Sequence, residues 1–150
     1  IVYVGGDTDV EVSEKKDRVD DAIHAVRAAK KEGILPGGGS ALVHTANSDW
    51  QMKLNPGELK GVSILKQSLY APFLLILNNA GLDPRKYIEL GKWGSGVDVI
   101  DGKIKDMRKA GIIDPLLVTK SALQNAISVA TTILSTDCVI SNVREGESNR

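Results

Sequence analysis

From residue 13 onward the apolar positions of the chain step by three and four. Val19, Ala22, Ile23, Val26 and Ala29 fall on one face of a helix, with charged residues between them. Ser13 is placed to cap that helix, Glu14 suits its first turn, and Lys30 and Lys31 suit its last. Gly33 fits the residue just past the helix end, and Pro36 prevents continuation. Ahead of the helix the period differs. Residues 1–4, IVYV, are β-branched and aromatic and are closed by Gly5-Gly6-Asp7, which predicts a strand and a turn. Val10 and Val12 alternate with Glu11, so a second short strand is expected there.

The later segments read mostly as helices. Residues 37–47 form a short one, and residues 48–57 a polar loop. A helix over 56–71 carries Leu59, Val62, Leu65 and Leu69. Pro72 opens PFLLILNNAG, which is apolar on nearly all sides and predicts a buried segment ending at Gly81. Asp83 and Pro84 suit the cap and first position of a helix through Leu90. Residues 91–102 read as a glycine-rich loop, and 103–109 as a short amphipathic piece. Asp114-Pro115 opens the clearest helix, to Leu134, with Val118, Ala122, Ala126, Val129, Ala130 and Ile133 as its stripe. Cys138-Val139-Ile140 predicts a terminal strand, and the tail from Arg144 is polar. The expected fold is therefore mainly α, with short β-strands at the two ends and its best boundary at residues 33–36.

Composition narrows the function classes. Aromatic residues make up only 4% of the chain, so Leu, Ile, Val and Ala must supply most of a core. Nineteen basic residues balance 19 acidic ones, which argues against a basic nucleic-acid binder. The longest apolar stretch, residues 71–77, is interrupted by Pro72 and falls well short of the ~20 residues of a membrane span. Cys138 is the sole cysteine, so neither an intrachain disulfide nor a cysteine-rich zinc site can form, and a reducing compartment is the simpler reading.

One stretch demands an explanation, GILPGGGSALVH, in which Gly37, Gly38 and Gly39 directly precede an apolar helix. Glycine costs about 1 kcal/mol relative to alanine inside a helix, so three in a row mark either a tight turn or a ligand pressed against bare backbone. No Gly-Lys-Ser/Thr follows, so this is not a P-loop, and it is not G-x-G-x-x-G. Asp20 and Asp21 suit a solvated helix face, but Asp21 flanks the apolar stripe, where a carboxylate could hold a metal or orient a water. Asp114 suits a helix cap, and a capping carboxylate facing a cleft can also bind ligand hydroxyls. His24 and His44 have no partners at metal or triad spacing and read as structural or surface residues. Trp50 and Trp93 are lone loop aromatics.

The stretches VEVSEKKDRVDDAIHAVRAAKKEGILPGGGSAL and GIIDPLLVTKSALQNAISVATTILSTDCVI, in this order, resemble the group I chaperonins, the bacterial GroEL type with its mitochondrial and plastid relatives. The resemblance runs over residues 4–143 and covers the C-terminal part of a subunit. It implies an intermediate-domain segment over 1–31, dominated by one long helix. The C-terminal half of the equatorial ATP-binding domain, a helical bundle, would occupy 32–143, with a polar tail over 144–150. The apical domain and the first equatorial half, with its phosphate loop and a further acidic magnesium residue, would lie elsewhere in the subunit.

What the resemblance implies for function is an ATP-dependent chaperonin subunit that assists folding in a ring, an ATPase as the full subunit and inactive as this segment alone. Asp21 would be the catalytic aspartate that orients the attacking water and also a metal ligand. Gly37, Gly38, Gly39, Asp98, Val99, Ile100, Ile112 and Asp114 would bind the nucleotide: the glycines against ribose and adenine, Asp114 on the ribose hydroxyls, and Val99 and Ile100 on adenine. The family often has asparagine where this chain has Asp98, and smaller residues at positions 97, 99 and 100, so a tighter pocket is expected. ATP and Mg2+, with K+ as an additional ion, would be the cofactors. Partners would be other copies of the subunit, a lid co-chaperonin and unfolded clients through the apical domain, with neither nucleic acid nor membrane. An organelle interior is the implied location, plastid or mitochondrial, with bacterial cytoplasm as the alternative. Glu32 and Lys120 match a charge pair, and Asp9 an inter-subunit position. Residues Ile64, Leu69, Leu75, Val129 and Ile133 are expected to expose apolar surface in the isolated segment. The competing readings are a structural or oligomerisation helical domain without nucleotide binding, and a stand-alone nucleotide-binding enzyme.

Overall fold

A computed structural model describes residues 1–140 of the chain. It is mainly helical, as the periodicity predicts, and divides into two units, residues 1–118 and 119–150. Helix α1 spans Asp9–Glu32, strand β1 Ile34–Pro36, α2 Ser40–Asn47, α3 Pro56–Ser68 and α4 Ala71–Asn79. A single 3-10 turn covers Pro84–Lys86. Strands β2 (Ser95–Asp98), β3 (Lys103–Asp106) and β4 (Ile113–Pro115) follow, and α5 (Leu116–Leu134) ends the described elements.

The first helix starts five residues earlier than Ser13 suggests. Thr8 is its cap and accepts a hydrogen bond from the Glu11 N–H at 3.2 Å, while the Glu11 carboxylate accepts from the Asp7 N–H at 2.9 Å. Thr8-Asp9-Val10-Glu11 is the spacing of a capping box, and it overrides the two-residue alternation of Val10 and Val12 that suggested a strand. Glu11 also pairs with Lys15 one turn on, at 2.9 Å. Gly33 ends the helix with φ 94°, its N–H donating to the Ala29 carbonyl at 2.8 Å. No residue of α1 is fully buried; of its apolar stripe Val19 and Ala29 are half-buried, and Ala22, Ile23 and Val26 are exposed. Residues 1–4 form no strand, because no other described segment offers them a ladder of hydrogen bonds; Cys138-Val139-Ile140 likewise stays unpaired. The expected tail from Arg144 lies outside the described residues.

The core of the first unit gathers Val43 of α2, Phe73 and Leu77 of α4, Leu90, and Val97 of β2, with Tyr70, Leu74, Leu82 and Tyr87 packed around them. Helix α3 is well capped: Asn55 accepts from the Gly57 and Glu58 N–H groups at 3.0 and 2.9 Å, and Glu58 returns to the Asn55 N–H at 2.8 Å. It stops at Ser68, so residues 56–71 are not one helix. Leu69 is buried at 3% exposure, contrary to the expectation that it would be bare, whereas Ile64, Leu75, Val129 and Ile133 are exposed as expected. Only one face of α4 is covered, through Phe73 and Leu77.

Both small sheets come from segments read as something else. Residues 91–109 contain an antiparallel hairpin, with Ser95 opposite Asp106 and Asp98 opposite Lys103. The loop and amphipathic-piece readings fail here because polar side chains on both strands hide the period of two. The helix expected through Leu90 shrinks to the 3-10 turn, although Asp83 caps it as predicted, accepting from the Arg85 N–H at 3.1 Å. Strand β1 pairs antiparallel with β4, placing Leu35 opposite Asp114 and Pro36 opposite Ile113. Asp114 and Pro115 are therefore strand residues and the helix begins at Leu116. Long-range pairing with β1, invisible to local capping rules, decides this.

Candidate functional site

The β1–β4 ladder delivers the glycine triplet beside Asp114. Its hydrogen bonds run from the Leu116 N–H to the Gly33 carbonyl and from the Gly37 N–H to the Ile112 carbonyl, both at 3.0 Å. Beyond Gly37 the chain turns through two successive left-handed residues, Gly38 at φ 64° and Gly39 at φ 75°, into α2. A side chain is disfavoured in that backbone region. Packing adds to the demand at two of the three positions. A Cβ on Gly37 would lie 3.0 Å from the Ile112 and Ile113 backbone, and one on Gly39 would lie 2.9 Å from the Phe73 nitrogen. Gly38 differs: a Cβ there would meet only the Met107 Cε, at an ordinary 3.4 Å. Turn geometry and close packing thus both explain the triplet, and Gly38 is the member where an added side chain would meet the least obstruction.

Asp114 is half-buried, with the Gly38 N–H beside its carboxyl. Burial pushes its carboxyl above the ordinary value, and the Gly38 N–H works against that rise. A carboxylate with two oxygens can accept about four hydrogen bonds, so this contact leaves capacity for ligand hydroxyls. The same side chain ties the loop to β4 and offers a polar group at its edge.

Fully buried Met107 joins the hairpin to this loop. Its N–H donates to the Gly94 carbonyl and its carbonyl accepts from the Ile112 N–H, both at 2.9 Å. Gly96 of β2 lies so close that a Cβ would sit 2.7 Å from the Met107 sulfur and 3.0 Å from the Ser40 Cβ. Ser40, also fully buried, donates from Oγ to the Gly37 carbonyl at 2.7 Å. His44 is structural, as its lack of partners suggests: its Nε2 lies 2.8 Å from the Ser95 carbonyl and its ring rests 5.3 Å from that of Trp93. Neither Met107 nor Gly96 stood out in the sequence; a glycine inside a β-branched stretch was the available signal for a close approach.

The structure therefore brings Gly37, Gly38, Gly39, Ile112 and Asp114 into one neighbourhood. Asp98, Val99 and Ile100 lie on the β2–β3 turn, attached to that neighbourhood through the base of the hairpin. The Asp98 carboxylate is engaged within the turn, with Lys105 Nζ at 2.7 Å and the Ile100 N–H at 3.0 Å, and Lys105 holds it below the ordinary carboxylate value. Asp21 is exposed on α1. Gly33 lies twelve positions further along the chain, about 18 Å along the helix axis. Among the described residues no three His, Cys, Asp or Glu side chains are grouped to hold a metal ion. None of the described helices is long and apolar enough to cross a membrane.

A sequence model described as the TCP-1/cpn60 chaperonin family matches residues 1–144. Among solved structures, a group III chaperonin crystallised in its open state is similar, with a TM-score of 0.81 and 28% sequence identity. That similarity covers 91% of this chain and 30% of the other, so the chain spans less than a third of the length of that relative.

Proposed function

The chain belongs to the TCP-1/cpn60 chaperonin family, and from that premise we propose that it forms part of the ATP site of a ring-forming chaperonin subunit. In this reading residues 1–31 belong to the intermediate domain and 32–143 to the equatorial domain. The observation that carries it is the junction of Gly38 and Asp114: a left-handed glycine whose Cβ position meets only the flexible end of Met107, next to a half-buried carboxylate. A flat, hydroxyl-bearing ligand such as a nucleoside suits that junction, because bare backbone permits close approach and a carboxylate accepts from hydroxyls. Gly37, Gly38 and Gly39 would lie against ribose and base, Asp114 on the ribose, Ile112 on the pocket wall, and Asp98, Val99 and Ile100 at the adenine.

ATP with Mg2+ would supply the phosphoryl group and the charge compensation that its transfer requires. Asp21 is assigned the positioning of the attacking water and a share of the metal. Its exposure on a long helix supports this role only if α1 swings over the nucleotide, as a mobile intermediate domain would allow. Titrating the 150-residue chain with ADP should give weak, saturable binding that Asp114→Ala abolishes. Binding that is absent, or indifferent to Asp114, overturns the nucleotide reading. In an assembled subunit containing this segment, Asp21→Ala should retain ATP binding while turnover falls on the order of a hundredfold or more. Normal turnover would remove Asp21 from the mechanism. The segment alone should not hydrolyse ATP.

Within the family, the motifs quoted above support the group I division, with its organelle or bacterial location and separate lid co-chaperonin. The solved group III relative favours a second reading. Capture of a separate lid protein by the assembled ring separates the two, since the group I reading requires it.

A further inference from the structure

The β2–β3 turn is held by one cation. Lys105 Nζ lies 2.7 Å from Asp98 Oδ2 and 2.8 Å from Asp101 Oδ2, spanning the two sides of the turn. The other Asp98 oxygen accepts from the Ile100 N–H at 3.0 Å, and the Asp98 carbonyl accepts from the Gly102 N–H at 2.9 Å. Tyr87 fastens the turn from outside the hairpin, its hydroxyl donating to the Gly102 carbonyl at 2.9 Å. Gly102 itself is left-handed, at φ 66°. Between these fixed points sit Val99 and Ile100, and Ile100 is 93% exposed. Hydrogen bonds and charge, rather than apolar packing, therefore set where this branched aliphatic side chain stands.

We infer that Lys105 is a positioning residue: by clamping Asp98 and Asp101 it fixes the angle at which Val99 and Ile100 are offered to the face of an adenine ring. The inference rests on the nucleotide reading above. Its physical basis is the mutual repulsion of two carboxylates across one short turn. With the ammonium present, both are neutralised in part, and the Asp98 oxygen stays on the Ile100 N–H. Without it, the two carboxylates move apart, that hydrogen bond opens, and the tip samples many orientations. An arginine at position 105 retains the charge and can reach both carboxylates, so it should preserve the tip. The clamp sits at the turn end of the hairpin, whereas Gly96 packs against Met107 and Ser40 nearer the glycine loop, so its effect should be selective for adenine rather than for ribose or phosphate.

The test compares AMP with ribose 5-phosphate, which differ only by the adenine, on the 150-residue chain. Affinities are read by NMR titration, with amide hydrogen exchange at Ile100 as a readout independent of ligand. Lys105→Met should speed Ile100 exchange and reduce the preference for AMP over ribose 5-phosphate by about fivefold, the upper end of the range for a surface ion pair. Lys105→Arg should restore both. If the wild-type chain prefers AMP and Lys105→Met leaves that preference unchanged, the inference fails while the nucleotide reading stands. Equal loss of both ligands makes Lys105 a merely structural residue and also overturns it. If the wild-type chain binds neither compound, the nucleotide reading fails first, and the inference with it.

Discussion

Replacing Gly39 by alanine separates the two reasons for the glycine triplet. The new methyl group would sit at φ 75°, 2.9 Å from the Phe73 nitrogen and 3.0 Å from its Cα. The left-handed conformation costs an L-residue about 1–2 kcal/mol. Both near atoms are backbone of α4, which cannot rotate away, so the overpacking adds about 1–3 kcal/mol. The total, about 2–5 kcal/mol, is a large share of the 5–15 kcal/mol typical of a folded domain. Gly38→Ala shares the positive φ, but its methyl group meets only the flexible Met107 Cε at 3.4 Å, so it should lose only about 1–2 kcal/mol. Gly61 in α3 has neither constraint, with nothing within 4 Å of its Cβ position; alanine there should stabilise the chain by about 0.5–1 kcal/mol. Urea unfolding followed by circular dichroism measures all three. Equal losses for Gly39→Ala and Gly38→Ala would refute the packing argument and leave backbone conformation as the sole cause.

Three further outcomes follow from the same contacts. Met107→Ala empties a fully buried site between the hairpin and the glycine loop, so it should cost about 2–5 kcal/mol, read from the urea midpoint. Asp114 is raised by burial, so its native form takes up a proton before its unfolded form does, and its charge opposes folding at neutral pH. Asp114→Asn should therefore gain relative stability near neutrality, an advantage that shrinks as pH falls through the raised value and vanishes below the ordinary one; thermal melts at several pH values test the sign. Exposed Ile64, Leu75, Val129 and Ile133 should drive self-association of the chain, and a clean monomer over a wide concentration range in sedimentation would contradict this.

The helices were legible because each carries its own evidence within a few residues. The step of three and four predicts α1 and α5, Asn55-Pro56 with Glu58 marks the start of α3, and Gly33 and Gly81 mark ends. Even the misplaced start of α1 was written locally, in Thr8 and Glu11, and the competing alternation of Val10 and Val12 obscured it. The candidate site was legible through a different route: the glycine triplet and the IIDP segment carry the family resemblance, and the fold brings these two stretches together.

Tertiary structure alone decided the strands. A strand is completed by a partner, and the partner of Leu35 is Asp114, far along the chain. No local rule could turn Asp114 from a helix cap into a strand residue beside Gly38, or separate Gly39, whose Cβ position is blocked by the backbone of α4, from Gly38, whose Cβ position meets only the end of Met107. The same holds for the termini, where β-branched residues at 1–4 found no ladder. Sequence sets which conformations each residue favours; the hydrogen-bonding partner and the space left beside the backbone come only from folding distant segments together.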